Sequence, residues 1–171
     1  MSNDTERIDN LNLLSDNAFH FEFKELPNAS FFGQSFALPD ISIGRAIIPT
    51  PLRDYPIPGD KMEFGDMSFT FLVDEHMINY NEVRQWMVHL AFPTTTDEFK
   101  LLSDGDTNYT ETSDLIISSL TNKFNPNKLI HFIDAFPVSL SGIEFVHNSE
   151  SVTHPVATAS FAYSYYYFTD V

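Results

Sequence analysis

Asp74, Glu75 and His76 stand together in "VDEHM" and are the residues of this chain best suited to proton transfer. A general base must sit within hydrogen-bond reach of the proton that it takes, held there by a partner. Successive side chains of an extended segment face opposite ways, so three neighbours cannot converge on one point. The cluster therefore reads as a polar connection between a strand and a helix. The six histidines, at 20, 76, 89, 131, 147 and 154, are scattered without ligand-like spacing. His20 and His131 could meet across strands, but two imidazoles lacking a third ligand do not make a metal site. Cys is 0, which removes thiolate ligands and disulfides. No phosphate loop, dinucleotide fingerprint, zinc-protease motif or nucleophile elbow occurs. The run Tyr165-Tyr166-Tyr167 could stack sugars or bases, yet an aromatic terminal strand more often fills a core on one side and an interface on the other. No catalytic residue, cofactor or metal is expected, and the chain reads as a non-enzyme.

The bulk numbers agree. At 171 residues the chain is expected to form one domain with a real core. A hydrophobic fraction of 43% and an aromatic fraction of 15% exceed what a disordered chain carries, and aromatics favour strands. No apolar run approaches the roughly 20 residues that span a bilayer, and the polar, acidic first residues lack a signal-peptide pattern. No membrane insertion is expected. Lys+Arg 9 against Asp+Glu 24 gives a formal net charge of −15, which disfavours phosphate-anchored binding of nucleic acid. It does not forbid a surface past which nucleic acid slides.

Around the polar cluster the elements are mostly extended. Residues 1–18 read as an arm, and residues 19–171 as a single β domain. "FHFEFKEL" (19–26) alternates, with Phe19, Phe21 and Phe23 on one face. "PNASFFGQ" turns the chain, and residues 35–48 form one or two extended pieces that bend at Pro39-Asp40. "MSFTFLV" (67–73) places Met67, Phe69, Phe71 and Val73 on one face. One helix is expected over about 79–92, because Val83, Trp86, Met87 and Leu90 follow helical spacing and Asn79 with Glu82 suits a capping box. Residues 93–113 form a long polar loop of the kind that is usually functional or ordered by a partner. "KLIHFIDAF" (128–136) and "PVSLSGIEF" (137–145) follow as separate segments. "VATASFAYSYYYF" (156–168) then alternates without a break, placing Phe161, Tyr163, Tyr165 and Tyr167 together. The fold class is mainly β, an antiparallel barrel or sandwich with one flanking helix. The expected core anchors are Phe21, Phe69, Phe71, Trp86, Met87, Phe161 and Tyr163.

The segment "IPTPLRDYPIPGDKMEFG" breaks this pattern with four prolines ahead of the strand at 67. Proline fixes the backbone and has no N–H to donate, so such a stretch cannot occupy the middle of a sheet in its own chain. It is read as a stiff, extended, hairpin-like arm (45–66), turning at Gly59-Asp60 and reaching another copy of the protein.

In order, the parts are a strand leading into "ALP" (37–39), an isoleucine-rich strand, the arm with "PGD" (58–60), an alternating strand, a helix with Trp86, a polar loop, "FPVSLSGIEF" (136–145) and a strand ending in Tyr and Phe. This order resembles the tail tube protein family of contractile-tailed bacteriophages, from about Phe19 to Phe168. The resemblance implies a virion component assembled in the host cytoplasm, with six copies in a ring and rings stacked around a DNA channel. The chain would be the major tube subunit or a minor ring, such as a baseplate-proximal initiator or a tail completion protein. Its partners would be its own copies, the sheath, and baseplate or neck proteins, with double-stranded DNA passing without tight binding. By position, Arg45, Pro49, Pro51, Arg53, Tyr55, Pro58, Asp60 and Lys61 would contact the next ring. The competing reading is a monomeric β-barrel that binds a sugar or peptide on Tyr163, Tyr165 and Tyr167.

Overall fold

A computed structural model describes residues 13–14, 18–91, 110–145, 147 and 154–171. Two antiparallel sheets share one long strand. The first has the order β1 (Phe19–Phe23), β6 (Ser113–Leu120), β7 (Pro126–Leu140) and β9 (Tyr165–Asp170). The second runs from β7 through β8 (Val156–Ala162) and β5 (Met67–Leu72) to β2 (Gly33–Ala37). A separate two-stranded ribbon joins β3 (Ile41–Pro49) to β4 (Asp54–Phe64). The helices are α1 (Pro27–Phe31) and α2 (Ile78–Ala91). The mainly antiparallel β class holds, with a second short helix where the sequence suggested only a turn.

Alternation builds the core. Met67, Phe69 and Phe71 of β5 are fully buried while Ser68, Thr70 and Leu72 are half-exposed. Register sets Ala159 opposite Phe69 and Ala157 opposite Phe71, so small residues leave room for large ones across the strand pair. Phe21 meets Phe69 edge to face with centroids 4.6 Å apart, and Phe23 meets it at 5.1 Å. Burying each such ring contributes about 1.5–3 kcal/mol. β2 comes so close to this cluster that a Cβ on Gly33 would lie 2.4 Å from the Phe21 ring. Only glycine fits there.

α1 forms because Pro27 takes a first-turn position where its missing N–H costs nothing. The carboxylate of Glu82 on α2 accepts the Ala29 N–H at 3.3 Å and a hydrogen bond from the Asn28 amide. Glu82 thus ties the two helices together instead of closing a capping box. Asn79 is buried inside α2. Its amide donates to the Leu72 carbonyl at 2.7 Å, and its oxygen accepts the N–H groups of Tyr80 and Asp74. Asp74 in turn accepts the Asn79 N–H at 3.3 Å.

Two strand boundaries differ from expectation. Residues 126–140 form one strand that passes through Pro137, because a register shift between Pro137 and Ser139 absorbs the missing donor. Asp134, at φ 54, bends β7 as it crosses from one sheet to the other, and its N–H donates to the Asp114 carboxylate at 3.2 Å. At the C-terminus the alternation breaks between β8 and β9, which pair in different sheets. The break shifts the parity: Tyr166 packs on Phe132 at 5.4 Å, while Tyr165 and Tyr167 point outward.

Candidate assembly surface

The β3–β4 ribbon is the element that the core does not use. Its register runs from Ile41 opposite Phe64 to Pro49 opposite Asp54. The eleven residues of β4 span roughly 36 Å at a strand's rise per residue. Gly59 does not turn the chain. It lies within β4 beside a bulge at Gly44, where an added Cβ would sit 2.5 Å from the Gly44 carbonyl oxygen. The turn falls instead at Thr50–Arg53, where the Thr50 hydroxyl donates to the Arg53 carbonyl and accepts the Arg53 N–H at 3.2 Å. Pro56 and Pro58 share one parity of β4, so their missing donors lie along a single margin.

Arg45, Pro49, Pro51, Arg53, Tyr55, Pro58, Asp60 and Lys61 are all exposed on this ribbon. Sequence reasoning missed the apolar members beside them. Ile41, Ile43, Ile47, Ile48 and Met62 are about half-exposed, and Leu52 at the tip is 97% exposed. The signal was available: the ribbon strands are rich in isoleucine yet alternate against no core face. Charge is distributed unevenly too. Residues 41–64 hold three cations (Arg45, Arg53, Lys61) and three anions (Asp54, Asp60, Glu63), so the whole −15 lies elsewhere on the chain.

The ribbon is clamped at its base. The Gly65 N–H donates to the Asp40 carbonyl at 3.0 Å, and the Tyr163 hydroxyl donates to the Gly65 carbonyl at 3.0 Å. Phe64 stacks near Tyr163 and Tyr166 at 6.1 and 5.8 Å. Burial, then Tyr166, Asp40 and Asp66, push the Tyr163 hydroxyl up to about 12 from its ordinary 10.0. The fold therefore favours the protonated phenol. Its contribution is complete below pH about 10 and lost as pH rises toward about 12. Urea midpoints should fall across that window in the wild type, and Tyr163→Phe should flatten the fall. An unchanged alkaline slope in the variant would count against the clamp.

Of the remaining expected core anchors, Phe21, Phe69, Phe71, Trp86 and Phe161 are buried, and Tyr163 and Met87 are half-buried. Trp86 donates its indole N–H to the Thr110 carbonyl at 2.8 Å. Residues 93–109 of the expected polar loop, and most of the arm at 1–18, lie outside the described residues.

Other clusters are not gathered for chemistry. Asp74 caps α2, whereas Glu75 and His76 are exposed beside it. His20 and His131 sit two strands apart and two residues out of line. Among the described residues no group of three or more His, Cys, Asp or Glu could hold a metal. No described helix is long and apolar enough to cross a membrane.

The sheet margins complete the surface. Among the described residues β1 pairs only with β6, and β9 only with β7, so both edges of the first sheet are open. A chain of the anti-feeding prophage tube-terminating cap superposes with TM-score 0.60 at 14% identity, over 100% of each chain. The fold is that of the contractile-tail tube proteins. Two chains of the PVC extracellular contractile injection system agree. One, from its extended sheath–tube complex, has TM-score 0.58 at 16% identity over 99% of this chain and 100% of that one. The other, from its sheath/tube terminator, has TM-score 0.58 at 15% identity over 92% and 97%. The sequence matches no protein-family model and no curated protein. Among the described residues, the ribbon and the open margins are the elements that this chain leaves unpartnered.

Proposed function

We propose that this protein is a non-enzymatic structural ring component of a contractile tail, either the tube subunit or a ring that starts or terminates the tube. The observation that carries the proposal is a core-forming sheet with both edges unpaired among the described residues, joined to a ribbon that contributes almost nothing to its own core. Unpaired edges are a liability unless hidden or paired, and pairing them around a ring removes them. The reading includes six copies per ring, stacked rings, and contacts to sheath and to baseplate or neck proteins, and the tube-like fold supports it. The particle would be a phage virion or a phage-like injection device, assembled in the host cytoplasm. A strongly acidic tube would let double-stranded DNA pass without holding it, because like charges repel.

Negative-stain images of the purified protein should show six-fold rings at high concentration, and stacks of them when other tail components are added. Only monomers under both conditions would overturn the reading. One observation favours the binding-module alternative: the outward rings of His131, Tyr167 and Tyr165 lie in a row, with spacings of 4.9 and 6.0 Å. Tyr163 is not in that row, so a stacking platform would have to use His131 in its place. Ligand-dependent tyrosine fluorescence in a protein that never self-associates would support that alternative.

A further inference from the structure

The ribbon leaves the molecule at one end of the second sheet, and an apolar groove lies at the other. Three strands agree on this polarity. β5 runs from Met67, just past the clamp at Gly65, to Leu72 in the groove. β8 runs back from Val156 to Ala162, just short of Tyr163 at the clamp. β2 starts after Phe32, whose carbonyl accepts the Leu72 N–H at 3.0 Å, and heads toward Asp40. The groove encloses about 610 Å³ and is lined mainly by Phe32, Leu72, Val73, Met77, Phe145 and Pro155. Phe145 is 76% exposed there, and Glu75 stands on the rim.

We infer that this groove receives the ribbon tip of a second copy of the chain, with Leu52 entering the apolar lining and Arg53 facing Glu75. Three features of the molecule select that occupant. The tip presents the most exposed leucine among the described residues beside a cation, and the groove offers an apolar floor beside a carboxylate. The ribbon is neutral in a chain of net charge −15, so it is the sector that a second acidic copy repels least. The turn at Thr50–Arg53 is held by two hydrogen bonds and flanked by Pro49 and Pro51, so little freedom is lost when it docks. The ribbon is rooted at one end of the second sheet and the groove lies at the other, so the contact joins unlike surfaces. Such a contact can repeat from copy to copy and, unlike a two-fold contact, does not end at the dimer. Each copy therefore hands its ribbon to the next layer, and the terminal layer exposes either a bare groove or a bare tip. The inference rests on the ring reading above and names the surface that the ribbon meets.

The chain has Cys 0, so introduced thiols report without background. The double variant Arg53→Cys with Glu75→Cys, oxidised with copper phenanthroline under stacking conditions, should give a ladder that extends well beyond the dimer on a denaturing gel. Mixing the two single variants should stop at the dimer. Separately, Arg53→Glu or Glu75→Arg should shorten stacks at least tenfold in micrographs, and combining them should restore their length. Imaging the same samples separates the possible failures. Stacks without a ladder would overturn the groove contact alone and assign the groove to a different occupant. Arg53→Cys alone cross-linking as well as the double variant would replace it with a tip-to-tip contact. Monomers throughout would overturn both this inference and the ring reading.

Discussion

A chain that lacks residues 47–56, with Ala46 joined to Ile57 through Asn-Gly, is expected to fold normally and to form no stacks. Ala46 and Ile57 are register partners, and Asn-Gly suits a two-residue hairpin turn, so the shortened ribbon keeps its pairing. Every side chain removed is exposed, and the clamp at Asp40, Gly65 and Tyr163 is left whole. Substitutions that bury nothing usually change stability by less than about 0.5 kcal/mol, so the melting temperature should move by only a few degrees. Rings should survive in micrographs, because the margins of β1 and β9 are untouched. Loss of the folded state would show that the ribbon belongs to the core, and unchanged stacking would show that it contacts nothing essential.

Trp86→Ala should be among the most damaging single substitutions in the domain. The ring is fully buried, lies 6.2 Å from Phe161, and spends its only donor on the Thr110 carbonyl. Truncation opens a large cavity and removes the indole donor of the Thr110 carbonyl. The first effect alone costs about 3–5 kcal/mol, against about 5–15 kcal/mol for the whole stability of a typical domain. The urea midpoint should drop accordingly, or the protein should fail to accumulate in soluble form. Met87→Ala, one residue on but half-buried, is the control and should cost far less. Equal losses at the two positions would show that Trp86 is not the pivot of α2.

Much of the fold was legible because burial on one face imposes a period of two. β1 and β5 carry that period in "FHFEF" and "MSFTF", and α2 carries the helical one. The features that escaped are those decided by tertiary context. α1 spells "PNASF", which is turn chemistry until Glu82 arrives from α2 to hold its first turn. Pro137 reads as a stop, yet a bulge lets β7 continue past it. The parity of Tyr165–Tyr167 depends on which sheet the last strand joins, and no local pattern records that choice. On the assembly surface the prolines announced an arm, but Gly59 misled because glycine serves a bulge as readily as a turn. The groove was invisible in sequence, since Phe32, Leu72 and Phe145 converge only after folding.

β7 belongs to both sheets along its fifteen residues. Two layers held only by side-chain packing can slide when a tube is strained along its axis. Here a single unbroken backbone threads both, so tension between the layers falls on peptide bonds and on rows of ladder hydrogen bonds loaded together. In the proposed tail ring, that is the difference between a laminate and a seam stitched through.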